Sequence, residues 1–155
     1  MITVTGGTRT QRNYAQSIAE FCVEKLMPRI TGLDIQITIK KFKEDSLGYA
    51  WPSDETEAYD RPRCFDIEVH SKQSLRRFLE TVAHEMVHVK QFAKGELYEG
   101  IRVNKHRWLG EYVDNDIDYW DLPWEIEAHG RECGLFIRWA EKEGLASKSW
   151  TQDPI

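Results

Sequence analysis

The chain has 155 residues, enough for one domain with a real core. Charged residues at 30% against apolar ones at 41% make an ordinary globular composition, and a net charge of −5 argues against a general nucleic-acid binder, which usually carries a basic face. No run approaches the ~18 apolar residues of a membrane span, and residues 1–7 lack the basic-then-apolar order of a secretory signal.

Cys22, Cys64 and Cys133 are odd in number, far apart and form no C-x-x-C pair. Neither a disulfide framework nor a cysteine zinc ribbon is expected. Buried free thiols in a reducing, cytoplasmic setting are.

Residues 10–27 predict a helix, with Tyr14, Ile18, Cys22 and Leu26 at i+4 steps and Pro28 as a stop. Gly6-Gly7-Thr8 before it has neither the spacing nor the Lys of a phosphate loop. Residues 34–42 alternate, Ile35, Ile37 and Ile39 against Gln36, Thr38 and Lys40, which predicts a half-buried strand. Residues 47–62 are polar and aperiodic and predict a long surface loop, a candidate gate for a site. Residues 64–70 alternate again, with Phe65, Ile67 and Val69 inward. Two such strands suggest an antiparallel sheet, and an exposed edge at 64–70 could take up an extended peptide by strand addition.

The next segment carries His84-Glu85-Met86-Val87-His88, an H-E-x-x-H pattern. Residues 74–94 hold no Pro or Gly, and Gly95 follows as a stop signal. Leu75, Phe78, Leu79, Val82, Met86, Val89 and Ala93 form one stripe at helical period, and both histidines fall on roughly the opposite side. Histidines at i and i+4 share a face one turn apart and can hold one zinc at ~2.0–2.1 Å. Glu85 sits roughly 100° round the helix, where it can reach a water on the metal and act as general base.

Beyond the motif, residues 101–113 predict a third strand or hairpin, with Trp108, Leu109 and Tyr112 around Gly110. Asp114, Asp116 and Asp118 imitate a calcium loop, but Tyr119 stands where that loop needs Gly. Asp121-Leu122-Pro123 announces a helix running to about residue 143. Its apolar residues occupy more than one face, which predicts a helix sandwiched in the core. The tail, 147–155, is polar and expected to fray.

A catalytic zinc needs a third protein ligand. Glu125, in the first turn of that last helix, is the leading candidate, with His129, His106 and Glu127 as alternatives. Glu127 is about 200° round the helix from Glu125, so both cannot face one metal. His129 lies one turn beyond Glu125 and can orient a ligand. Tyr98, Tyr112, Tyr119 and His106 are candidate donors to a developing oxyanion.

The pair HEMVH and PWEIEAH resembles the gluzincin clan of zinc metallopeptidases, in which the third ligand is a Glu on a downstream helix, often in E-x-x-A followed by Asp. Glu125 and Ala128 stand in those places, with His129 where Asp is common. The order of elements is also similar to minimal gluzincins and to SprT-like phage and bacterial proteins; the cysteine ribbon common in the latter is absent, and His129-Gly130 echoes their third His. The resemblance implies one zinc per chain and peptide hydrolysis. The combined expectation is a single α+β domain over 1–155, with its core in 10–143. A small three-stranded antiparallel sheet would pack on the first and motif helices, with the last helix behind the metal. The rival expectation is a non-catalytic, zinc-stabilised interaction or regulatory protein of phage type.

Overall fold

A computed structural model describes residues 1–53, 61–99 and 106–152. The chain is α+β, with four helices and two sheets among these residues. The main sheet holds β1 (Ile2–Gly6), β2 (Asp34–Lys40), β3 (Gly48–Pro52) and β4 (Cys64–His70), in the order β1-β2-β4-β3. β1 and β4 flank β2 in parallel, while β3 runs antiparallel to β4.

This differs from the expected three-stranded antiparallel sheet. Alternation reports one buried face, not strand direction, and is compatible with either pairing. β1 went unread because five residues of Ile, Thr, Val and Gly give too short a pattern, although the β-branched composition is strand-like. β4 is not an edge. β2 and β3 occupy its two sides, so it has no free backbone to offer a peptide. The edges are β1 and β3, and β3 lies inside the stretch 47–62 expected to be a loop; residues 54–60 of that stretch lie outside the described residues.

α1 (Arg9–Leu26) and α2 (Leu75–Ala93) pack against each other beside the sheet. α1 begins in a capping box: Gln11 N donates to Thr8 Oγ1 at 3.1 Å, and Thr8 N donates to Gln11 Oε1 at 2.9 Å. Ile35, Ile37, Ile39, Phe65, Ile67 and Val69 point from the sheet into the same core as Ile18, Phe78, Val82 and Met86 of the helices. α2 is buried along most of its length, because the sheet and α1 cover its apolar stripe and α3 (Pro123–Lys142) covers the histidine side.

α3 is not sandwiched. Trp124, Ala128, Phe136, Trp139 and Ala140 are buried, but Ile126 and Ile137 stand 57% and 41% exposed, so only one face packs. A three-stranded antiparallel sheet of β5 (Leu97–Glu99), β6 (His106–Trp108) and β7 (Glu111–Val113) forms separately from the main one. The predicted hairpin over 101–113 is partly met there, and residues 100–105 lie outside the described residues. The tail does not simply fray. α4 (Ser149–Gln152) folds back, stacking Trp150 on Tyr14 and burying Thr151, whose carbonyl accepts from Arg76 Nη1 at 2.7 Å. Of the three free cysteines only Cys22 is buried; Cys133 is exposed. No helix among the described residues is long and apolar enough to cross a membrane.

Candidate metal centre

The motif residues lie in the middle of α2, where the helix faces α3. Ser74 caps the start of α2 by accepting from Arg77 N. Pro123 opens α3 at a position where its missing N–H breaks no helical bond. That start places Glu125 in the first turn, where the helix dipole favours a carboxylate.

Across the helix pair His84 Nε2 lies 3.1 Å from Glu125 Oε1, and His88 Nε2 lies 3.2 Å from Glu125 Oε2. All three side chains are buried, and together they form a group that could bind a metal ion. Ligand atoms of a tetrahedral zinc at ~2.0–2.1 Å stand ~3.3 Å from one another. The two histidine spacings, one to each Glu125 oxygen, are close to that, the ligand atoms of the group lie within 4.8 Å of one another, and two imidazoles with one carboxylate are a donor set that catalytic zinc uses. The residues present therefore fit the metal.

The charges point the same way. Burial alone would lower the His84 imidazole, but hydrogen bonds to Glu125 and Glu132 outweigh it and lift it to about 10. For His88 burial again acts downward and is outweighed, chiefly by Glu125 and Glu85. Burial acts to raise Glu125, yet its contacts with His84 and His88 hold the carboxyl well below the usual range. Surrounded by carboxylates, this site favours positive charge.

Glu85 is 4% exposed and reaches the same cavity of about 630 Å³ as the three metal-facing residues. Burial pushes its carboxyl up to about 7 against the downward pull of the two histidines. β3 crosses directly over it. A Cβ on Gly48 would lie 2.8 Å from Glu85 Oε1 and 3.0 Å from Thr81 Cγ2, so glycine permits that approach.

Of the remaining candidates the structure brings two to the site. Tyr119, in a 3₁₀ turn (Tyr119–Asp121) before α3, donates its hydroxyl to Glu125 Oε1 at 2.8 Å and lies 3.0 Å from His129 Nε2. His129 Nδ1 in turn lies 3.2 Å from Glu132 Oε1. His106 pairs with Glu99 at 3.3 Å and stacks on Trp124, Tyr112 is 67% exposed on β7, and Tyr98 lies under the Arg107 guanidinium; none of these lines the cavity. Glu127 faces Lys90, Gln91 and Arg131 instead of the histidines, as the 200° offset requires. Asp118 accepts from Trp120 N and so caps the 3₁₀ turn.

Glu132 was missed by the sequence reading. It accepts a hydrogen bond from His84 Nδ1 at 3.2 Å, which leaves Nε2 facing Glu125. The signal was present: Glu125, His129 and Glu132 stand at i, i+4 and i+7, one stripe of a helix. His84, His129 and Glu132 form a second group of metal-ligand type. A neutral imidazole carries one lone pair, so it cannot serve a metal through both nitrogens while keeping its N–H. Glu132 is thus best read as the acceptor that fixes the His84 ring.

No family model, curated protein or solved structure matches this chain.

Proposed function

We propose that this chain is a zinc-dependent metallopeptidase with a zincin-like arrangement, in which His84, His88 and Glu125 hold the metal and Glu85 is the general base. One observation carries the reading: the three metal-facing side chains and a buried, separate carboxylate converge on one open cavity. A structural zinc site is closed by four protein ligands, whereas a catalytic one keeps a position open.

A zinc ion held there supplies a Lewis acid that polarises the scissile carbonyl and makes water acidic. Glu85 takes the proton of the attacking water and passes it to the leaving amine. Its burial beneath β3 limits it to the cavity side. Tyr119, near the mouth, is placed to donate to charge developing on the carbonyl oxygen once its bond to Glu125 is exchanged. His106 and Tyr112 lie away from the cavity and have no part in this chemistry.

The substrate is a peptide, laid along the outer edge of β3 in place of the β4 edge expected from sequence. Gly48, Tyr49 and Ala50 of β3 line the cavity, so a strand added there runs past Glu85 and the metal ligands. Glu85→Gln tests the enzyme reading against a zinc-stabilised interaction module. The variant should fold, keep its zinc and lose about 10²–10⁴-fold in turnover of a cleaved peptide. Equal turnover would remove Glu85 from the mechanism, and the absence of any cleaved sequence in a peptide library would favour the module.

A further inference from the structure

Gln91 lies one turn past His88 on α2 and is completely buried. A buried amide needs partners for both ends, and Gln91 has them. His88 Nδ1–H donates to its Oε1 at 2.8 Å. Its Nε2 donates to Trp124 O at 2.9 Å and to Glu127 Oε1 at 3.0 Å. The amide cannot be turned over: flipping it would set its oxygen against a carbonyl and a carboxylate, neither of which has a proton to give. Glu127 is itself held by Lys90 Nζ at 2.7 Å and Arg131 Nε at 2.9 Å.

We propose that Gln91 is a positioning residue for the metal centre, tying the ring of His88 to the start of α3 through one side chain. At one end it fixes the tautomer of His88, with Nδ1–H engaged and the Nε2 lone pair aimed at the metal position. At the other it holds the backbone of Trp124, the residue immediately before Glu125. Two ligands on two helices are thereby kept in register by one amide. Glu127, itself held by Lys90 and Arg131, anchors that amide against rotation. The motif is then better written HExxHxxQ in this chain, residues 84–91.

The inference rests on the metal reading, and its test separates the two. Zinc affinity is measured by competition with a chromogenic chelator for wild type, Gln91→Met, Gln91→Glu and Thr8→Ala. Gln91→Met keeps the length and apolar bulk while removing all three hydrogen bonds. It should bind zinc about 10–100-fold more weakly and lose the exchange-protected His88 ring N–H signal in ¹⁵N NMR of the zinc form. Thr8→Ala, remote from the site, should lower stability and leave zinc affinity unchanged, which separates positioning from general destabilisation. Gln91→Glu keeps an acceptor for His88 but has no donor for Trp124 O, and should also bind more weakly; it serves if the Met variant does not fold. Wild-type affinity in either folded Gln91 variant, with the His88 signal intact, overturns the role of Gln91 and leaves the metal site standing. No zinc on wild type overturns the metal reading itself.

Discussion

At the scale of single residues, Glu85 and Gly48 are in close approach. The carboxylate has a narrow place, bounded by α2 below and the β3 backbone above. A methyl group at position 48 would come within 2.8 Å of Glu85 Oε1, 3.0 Å of Thr81 Cγ2 and 3.2 Å of the Glu68 carbonyl oxygen, and the carboxylate is the nearest group that must move. Gly48→Ala should therefore lower turnover about tenfold or more, since a misplaced base acts through geometry before pKa, while the thermal midpoint changes little. Unchanged peptide turnover in that variant would show that Glu85 has more freedom than the contact implies. The thiols offer a second residue-scale check. Burial pushes the Cys22 thiol far up, and Cys133 is exposed. A maleimide should label Cys133 in the native protein within minutes and Cys22 only after denaturation. Rapid native labelling at Cys22, read by peptide mass, would contradict the packing of α1.

Among the elements, the pairing of α2 with α3 does most to build the site. H-E-x-x-H on an uninterrupted helical pattern made α2 and its two histidines legible, and the Pro123 start made Glu125 legible. Glu132 shares a stripe with Glu125 and His129, and Gln91 stands at i+3 from His88, but which groups they meet across the helix pair depends on crossing geometry that a single sequence does not state. The apolar content of α3 misled for a related reason: Ile126 and Ile137 mark hydrophobicity, not burial, and exposed aliphatics are common. Trp139 is the buried anchor of this helix, and its Nε1 donates to Ser17 Oγ of α1 at 2.9 Å. Trp139→Ala should cost about 3–5 kcal/mol, measured by chemical denaturation. A loss below ~1 kcal/mol would mean that α3 is not fastened to α1 as the contacts show. At the other end of α1 the capping box predicts a loss of about 1 kcal/mol for Thr8→Ala by the same measurement. A variant as stable as wild type would show that the cap contributes nothing.

For the whole molecule, the sheet sets which strand edge borders the cavity. Strands β2 and β4 were readable from alternation, and their parallel pairing was not, because direction follows from connections made elsewhere in the chain. β4 pairs with β3 as well as with β2, so the free edge on that side is β3, whose Gly48 lies against the Glu85 carboxylate. A metal at the proposed site would also link that site to the stability of the fold. His84 and His88 belong to the central helix and Glu125 to the one packed on it, so metal binding should stabilise the folded chain. With free zinc at a hundred times its dissociation constant, the gain should be about 2.7 kcal/mol.

The proposed function needs one metal held by His84, His88 and Glu125. Zinc content per chain, measured by elemental mass spectrometry on wild type, His84→Ala and Glu125→Ala purified side by side, tests it most directly. About one zinc per folded wild-type chain, with clear loss in both variants, is the predicted result. Zinc retained in folded Glu125→Ala would move the third ligand elsewhere, and folded wild type free of zinc even after reconstitution would contradict the metal centre and the hydrolysis built on it.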